Sequence, residues 1–426
     1  MGSPGGYRIS LTTPDTARHR FLGDLLMAGL EAVDPFTCVE RALEGTEGAD
    51  PPLDAALDSP GSITVLALGK AGPAMARGAA RILGRRAGEM VIVSDHREAV
   101  PEGAELIVSS HPLPDETSVT AGRRLLAAAA EADHHVLFLI SGGGSSLAEV
   151  PAAGLTIEDV TATNSVLVRS GLTIEDINAI RSHLSAFKGG RLGAAATVPT
   201  TTVLLSDVGR RAHLVASGPT IPSPTTPDQA RSIVDIHGLE GFLPPAARRA
   251  LASADSGPET VDTTVVIAGD GALAARAAVE AAQRREVGVS LLTTDLDGLA
   301  HEAAAEALEA APPGMVSVLA GETTVEVDGD GTGGRNQEAA LAAALEMEDS
   351  PWLFVAFGTD GVDGPTDAAG AMVDGTTTET IRRSGIDPVA ALADNDSHRA
   401  LDAAGALIRC GPTGTNVADL WLVDKR

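Results

Sequence analysis

Short apolar runs alternate with alanine-rich stretches along almost the whole chain, and this alternation most constrains the fold. A strand followed by a helix, repeated many times, predicts an α/β layered protein with a mostly parallel sheet. In such sheets, binding sites form at the carboxyl ends of the strands. We predict strands at 63–68, 89–93, 105–108, 135–140 and 201–205, and helices at 73–83, 118–132, 156–170 and 173–187.

A second α/β pattern follows a segment that is rich in proline and polar residues, at about residues 240–262. The 426 residues are enough for two domains. We therefore predict an N-terminal domain over residues 1–245 and a C-terminal α/β domain over residues 260–426. The strands of this second pattern are predicted at 263–268, 289–293, 315–320, 352–357 and 418–423.

The net charge of −27 excludes some classes of partner. Nucleic acids and anionic membranes both require a basic surface, so neither is expected to bind. The chain has only three lysines, and with the excess of acids this suggests a salt-adapted source. No segment resembles a signal peptide or a membrane span, and Cys38 and Cys410 are expected to be buried free thiols, so we interpret the protein as soluble and cytoplasmic.

Two glycine turns at predicted strand ends suggest anion binding. The stretch "SGGGSS" follows one strand and has almost no side-chain bulk, so main-chain N–H groups there can face a phosphate or a carboxylate. A tight turn without a ligand is the alternative. The other turn, "LGKAG", carries Lys70, but Thr64 and Ala71 replace residues that a Walker A loop requires. We predict that Lys70 contacts a phosphoryl oxygen, and that the glycine turn binds the nucleotide through Ser141, Gly142, Gly143, Gly144, Ser145 and Ser146.

Three further motifs carry charged candidates. In "INAIRSHLSAFKGGRLG" we place Arg181, Ser185 and Lys188 on one helical face that binds an anion, with Lys188 as a nucleotide contact; salt bridges with nearby acids are the alternative. Arg335 in "GGRNQE" begins a helix, where the helix dipole disfavours a cation, so we expect it to point at an anionic ligand. The acids that follow predicted strands are candidates to hold Mg²⁺ or orient a hydroxyl; they are Asp207, Asp360, Asp363 and Asp367.

Two remaining motifs are less specific. "VVIAGDGALAA" matches a dinucleotide-binding pattern at Gly269, Gly271 and Ala274, with Asp295 as the acid that would follow. We predict nucleotide contacts from Gly269 and Asp270, and from a final turn that contains Thr413, Gly414, Thr415 and Asn416. "DGDGTGG" resembles a calcium loop, but its acidic ligand positions are not filled, so calcium is rejected.

Taken in order, these motifs resemble the glycerate 2-kinase family that ends in a MOFRL domain. The fragments that carry the resemblance are "LGKAG", "HPLPDE", "SGGGSS", "INAIRSHLSAFKGGRL", "SGPT", "GGRNQE", "GTDGVDGPTDAAG" and "GPTGTNVADL". The resemblance implies a Rossmann-like first domain, a MOFRL-like part at about residues 315–426, and an active site in the cleft between domains. It also implies ATP- and Mg²⁺-dependent transfer of a phosphoryl group to the 2-hydroxyl of D-glycerate.

By this resemblance, four residues match positions with expected roles in the transfer. Lys70 and Arg335 match the cations that act on the transferring phosphoryl and bind the substrate. Asp207 matches the acid of "SDV" and Asp360 the first acid of "GTDG", and both are candidates for catalysis and for holding Mg²⁺. The segment "GRRAH" after Asp207 is basic where family members often have an acid, and this departs from the family pattern in a loop associated with metal or nucleotide contacts.

Two other functions stay open at this point. Some relatives are labelled hydroxypyruvate reductases, and the Gly269 turn would suit a nicotinamide cofactor. A sugar-acid or nucleotide sensor without turnover is the other alternative. The expected partners are D-glycerate and a nucleotide, and a homodimer is compatible with the sequence.

Overall fold

The computed structural model describes residues 10–11, 16–45 and 61–426, with side chains from residue 16 onward. The strands in the described part are β1 Ser10–Leu11, β2 Ile63–Leu68, β3 Ala87–Ser94, β4 Glu105–Val108, β5 His135–Ile140, β6 Thr200–Ser206, β7 Thr263–Asp270, β8 Val289–Leu296, β9 Val316–Gly321, β10 Leu353–Gly358, β11 Gly370–Asp374, β12 Leu407–Arg409 and β13 Asp419–Asp424.

The α-helices in the same residues are α1 Ala17–Ala32, α2 Pro35–Glu44, α3 Gly72–Leu83, α4 Glu116–Glu131, α5 Gly144–Leu147, α6 Ile157–Arg169, α7 Ile174–His183, α8 Arg191–Ala195, α9 Pro227–Ile236, α10 Pro245–Ala252, α11 Gly271–Gln283, α12 Ala300–Ala310, α13 Arg335–Glu346, α14 Thr377–Arg383, α15 Pro388–Ala393 and α16 Ser397–Ala403. None of them is both long and apolar enough to cross a membrane.

Six of the strands form one sheet in the order β4-β3-β2-β5-β6-β7. Strands β2 to β6 pair in parallel with one another. Strands β2 and β5 are buried along their whole length, as expected for continuous apolar runs that are covered on both faces. This confirms the predicted α/β class with a mostly parallel first sheet.

The other seven strands form a mixed sheet in the order β1-β12-β11-β10-β13-β9-β8. Strands β8 and β9 are parallel, and β13 runs antiparallel between β9 and β10. Strands β9 and β10 therefore point the same way, and their carboxyl ends reach one edge of the sheet. The amino end of β13 lies at that edge too.

The chain divides into two compact units that are discontinuous in sequence. We call Pro35–Ser206 with Arg210–Ala268 the parallel-sheet unit, and the residues through Asp34, Asp207–Gly209 and Gly269–Arg426 the mixed-sheet unit. These units differ from the two continuous domains, 1–245 and 260–426, that the sequence suggested. The reason is α1, whose leucines pack with β9, β10 and β13 in one hydrophobic core.

Local sequence signals account for several helix boundaries. Thr156 and Thr173 each accept a hydrogen bond from the main-chain N–H three residues on, so they are the N-caps of α6 and α7. The prediction that α7 continues to residue 187 is wrong, because the helix ends at His183. Ser185 and Lys188 therefore do not share a helical face with Arg181.

The two cysteines are free thiols, as expected, but only Cys38 is buried. Cys410 is partly exposed, and burial raises the pKa of its thiol to about 11.

Candidate active site

The edge of the mixed sheet brings together residues that are distant in sequence. Asp419 pairs with Gly321 of β9 on one side and with Gly358 of β10 on the other. Glu322 and Asp360 follow these two strands at the same edge. Parallel strand direction thus places acids from three segments beside one another.

Arg335, the first residue of α13, lies against this row of acids. Its Nε donates to Oδ2 of Asp419 at 2.7 Å, and its Nη2 donates to Oδ1 at 3.0 Å. This two-point contact is the geometry in which an arginine binds a carboxylate most strongly. Asp419 is completely buried, and Nδ2 of Asn336 also donates to its Oδ1, so the guanidinium has a fixed support.

The remaining nitrogen of Arg335 lies next to Glu322, with Nη1 3.0 Å from Oε1. The pKa of Glu322 is raised to about 7, chiefly because its carboxyl is partly removed from water; Arg335 lowers this pKa, and the negative charges of Asp419, Asp207 and Asp360 raise it. The site therefore holds more negative than positive charge. Arg335, Asp207 and Asp360, which the sequence singled out, all lie in this unit.

Helix α13 is held at its start by Asp363 rather than by its own N-cap residue. Gly334 has no side chain to cap the helix, and a methyl group there would overlap the carboxyl of Asp363. Asp363 accepts hydrogen bonds from the main-chain N–H groups of Asn336 and Gln337 and from both of their side chains. This carboxyl positions Arg335 through the helix, so it is not a metal ligand in this arrangement.

The assignment of Asp360 and Asp207 as metal ligands stays a prediction from the sequence. Oδ1 of Asp360 accepts a hydrogen bond from the N–H of Val362 within its own turn. In the described part of the chain, no three His, Cys, Asp or Glu side chains meet as a metal site. Any Mg²⁺ here would need ligands from a substrate as well, which is how Mg²⁺ usually binds in phosphoryl-transfer enzymes.

Lys70 lies in the parallel-sheet unit, in the turn after β2. Its main-chain N–H donates to the carbonyl of Gly142 at 3.0 Å, which ties the lysine turn to the "SGGGSS" turn. A methyl group on Gly143 would lie 3.1 Å from Cγ of Lys70 and 3.5 Å from Cδ2 of His111. The two predicted glycine turns are therefore one local structure, and His111 borders it.

Two titratable neighbours of Lys70 were given no role in the sequence analysis: Asp95, and His111, which begins the fragment "HPLPDE". Partial burial lowers the pKa of His111, and the positive charge of Lys70 lowers it further. For Asp95, burial raises the pKa, but hydrogen bonding to His96 and the charges of His96 and Lys70 outweigh it, and the pKa is lowered overall. Asp95 directly follows β3, and His111 lies shortly after β4. Their positions after strand ends were the sequence signal that could have identified them as site residues.

The hydroxyl groups of "SGGGSS" are used to build the turn. Oγ of Ser141 accepts from the N–H of Ala71, Oγ of Ser145 contacts Oγ of Ser217 at 2.7 Å, and Oγ of Ser146 donates to the carbonyl of Gly143. Gly143 has φ of +84°, a conformation that favours glycine. A nucleotide contact from this turn stays a prediction, and its donors would be main-chain N–H groups.

Lys188, which was predicted to bind the nucleotide, has a buried ion pair. Its side chain is 1% exposed, and its Nζ contacts Oε2 of Glu149. The same carboxylate accepts from the hydroxyl of Ser185. Because breaking a buried ion pair leaves an uncompensated charge, this location argues for a structural role. Of the two roles that the sequence suggested for Lys188, anion binding and salt bridging, the salt bridge is the one that this contact fits.

The remaining predicted contacts occupy structural positions. Asp270 caps α11, with Oδ1 accepting from the N–H of Leu273 at 2.8 Å, and Gly269 is buried in β7. In the final turn, Thr413 and Thr415 donate to the carbonyls of Thr359 and Val33. Asn416 accepts from the N–H of Ala418, and Gly414 has φ of +78°. Nucleotide binding by these groups stays a prediction from the sequence.

Comparison with known proteins gives matches along most of the chain. The model of a family described as "Domain of unknown function (DUF4147)" matches residues 21–252, and the MOFRL family model matches residues 315–419. The glycerate 2-kinase of Pyrococcus horikoshii is 35% identical over 92% of this chain and 94% of its own length. The D-glycerate 2-kinase of Thermotoga maritima is 36% identical over 93% of this chain and 96% of its own.

Other relatives have a different name or a known structure. A putative hydroxypyruvate reductase of Agrobacterium vitis is 36% identical over 97% of this chain and 96% of its own. The crystal structure of a glycerate kinase from Thermotoga maritima matches with a TM-score of 0.82 and 34% identity, covering 96% of this chain and 99% of that one.

Proposed function

The chain belongs to the glycerate 2-kinase family with a C-terminal MOFRL region, and from this premise we propose that it transfers the γ-phosphoryl group of ATP to the 2-hydroxyl of D-glycerate. In this reaction the hydroxyl oxygen bonds to the γ-phosphorus and the bond to the β,γ-bridging oxygen breaks. The products are 2-phosphoglycerate and ADP. The hydroxyl proton passes to a carboxylate of the site.

The observation that carries this proposal is the fixed guanidinium of Arg335. Phosphoryl transfer depends on positioning and on stabilising charge in the transition state, more than on covalent groups of the protein. A guanidinium that is already held by a buried carboxylate needs no reorganisation when charge develops near it. Arg335 is therefore assigned to the anionic oxygens of the substrate or of the transferring group.

Mg²⁺ fits the acidic edge of the mixed sheet. The pKa of Glu322 is raised partly by the negative charges of Asp419, Asp207 and Asp360, so a cation in their vicinity would be stabilised. Mg²⁺ commonly binds through one or two carboxylates together with substrate phosphates. We assign Asp207 and Asp360 as these ligands, and the ion would neutralise charge on the phosphates.

Lys70 supplies the second cation. Its main chain is tied to the glycine turn, and a compact ammonium suits a single phosphoryl oxygen. We assign it to the transferring phosphoryl group. The glycine turn itself is assigned to phosphate oxygens through main-chain N–H groups.

A nicotinamide-dependent reductase receives less support from the local structure. Its sequence argument was the Gly269 turn between β7 and β8, but those two strands belong to different sheets. A dinucleotide fingerprint requires both strands in one parallel βαβ unit. Asp270 in this turn caps α11 instead.

ADP release measured with ATP, Mg²⁺ and D-glycerate tests the proposal. We expect the wild-type protein to turn over, and Arg335→Ala and Lys70→Ala to fold normally but to lose at least about 100-fold in kcat/KM, since each removes charge stabilisation in the transition state. Arg248→Ala, at an exposed position on α10, is the matched control and should retain activity. Near wild-type rates in both site variants would contradict the assignment.

A further inference from the structure

The three nitrogens of the Arg335 guanidinium have two unlike acidic partners. Asp419 accepts hydrogen bonds from Nε and Nη2, and it is completely buried. Glu322 contacts only Nη1, and its side chain is 44% exposed. One partner is therefore a fixed support, whereas the other lies on the solvent side.

The main chain at Glu322 is held in place, so only its side chain is free to change position. Its N–H donates to the carbonyl of Leu296 at 2.8 Å. Gly321, just before it, has φ of +148°, and a methyl group there would overlap the main chain of Leu296. These contacts with Leu296 of β8 fix the main-chain position from which the Glu322 side chain extends.

The surroundings of Glu322 disfavour its negative charge. Partial removal from water is the largest cause that raises its pKa to about 7; Arg335 lowers this pKa, and the negative charges of Asp419, Asp207 and Asp360 raise it. Because a single contact holds this carboxylate at Nη1 and its side chain reaches solvent, another anion can replace it there without disturbing the two bonds to Asp419.

We propose that Glu322 is a displaceable counter-ion, which occupies Nη1 of Arg335 in the ligand-free enzyme and gives it up to an anionic oxygen of the substrate. That oxygen belongs to a carboxylate or to a phosphoryl group. This inference rests on the proposed function, in which Arg335 binds such an oxygen. Glu322 then weakens substrate binding in exchange for keeping the guanidinium paired between turnovers.

The test is Glu322→Gln, which keeps the shape of the side chain and removes its charge. Glu326→Gln is the matched control, because Glu326 is exposed in the same segment and its loss changes the net charge equally. Calorimetric titration without ATP measures the Kd for D-glycerate and for inorganic phosphate separately. We expect Glu322→Gln to tighten one of the two by about fivefold relative to the control, the upper range for a partly exposed ion pair. The anion that responds is the one that uses Nη1.

Steady-state kinetics provide the second readout. The matching KM should fall by a similar factor, with kcat within about twofold of wild type. If neither Kd falls relative to Glu326→Gln, the proposal is overturned. A 100-fold loss of kcat with unchanged Kd also overturns it and makes Glu322 the proton acceptor. Lack of D-glycerate phosphorylation in all three proteins counts against the proposed function, while the calorimetric comparison still decides the role of Glu322.

Discussion

Arg335 and Asp419 illustrate what single residues contribute to this site. Arg335 could be selected from the sequence because an arginine at the start of a helix is unfavourable for the helix dipole. Its partner could not, because Asp419 is 84 positions away and nothing in its fragment, "GPTGTNVADL", indicates that it pairs with Arg335. Asp363 looked like a ligand in the sequence but caps α13. Spacing along the chain identifies charged residues, and only the fold assigns their partners.

Removing the charge of Asp419 should separate positioning from stability. In Asp419→Asn the guanidinium of Arg335 loses its charged support, so we expect kcat/KM to fall by about 100-fold and the free energy of unfolding by about 2 kcal/mol. Asp424→Asn is the matched control, because Asp424 is equally buried at the other end of β13 and pairs with Arg18 and Arg426. It should lose similar stability and keep its kinetics. Equal kinetic losses in the two variants would contradict a positioning role for Asp419.

The elements were predicted best in the parallel sheet, where short apolar runs lie between turns. Strands β2, β4 and β5 agree with the prediction at both ends. Strands β11 and β12 were missed, since they lie in a mixed sheet whose pairing brings together separate segments of the chain. Helices α1 and α2 were missed as well, although Thr16 supplies an N-cap signal before α1.

The turns that carry Lys70 and Gly143 are hydrogen-bonded to each other, and a substitution at Gly143 tests whether this arrangement is needed for turnover. Gly143→Ala forces a methyl group to within 3.1 Å of Cγ and 3.4 Å of Cε of Lys70, so we expect the lysine to shift and kcat to fall by at least about tenfold. The positive φ adds a stability cost of about 1 kcal/mol.

Gly154→Ala is the control for that backbone cost. Gly154 has the same φ of +84°, and nothing lies within 4 Å of the added methyl group. The control should lose comparable stability and keep wild-type kcat, as measured by thermal unfolding and initial rates. If Gly143→Ala retains full activity, the contact with Lys70 is not needed for turnover.

At the scale of the whole molecule, the sequence predicted the α/β class and the presence of two parts. The segments that make up each compact unit differ from those predicted. Segment 207–209 groups with the mixed-sheet unit although β6, just before it, lies in the parallel sheet. Asp207 thereby joins the acids that act on Glu322. Composition and periodicity do not determine such an assignment, because it depends on contacts between segments far apart in sequence.

The position of phosphorylation is the most direct test of the central claim. Purified protein would be given ATP, Mg²⁺ and D-glycerate at low and high KCl, with enolase and pyruvate kinase as the coupling enzymes. Enolase accepts 2-phosphoglycerate, so we predict a signal without added phosphoglycerate mutase, and its loss in Arg335→Ala. A signal that appears only after mutase is added would mean transfer to the 3-hydroxyl and would contradict the 2-kinase assignment. No signal at either salt concentration would contradict glycerate kinase activity altogether.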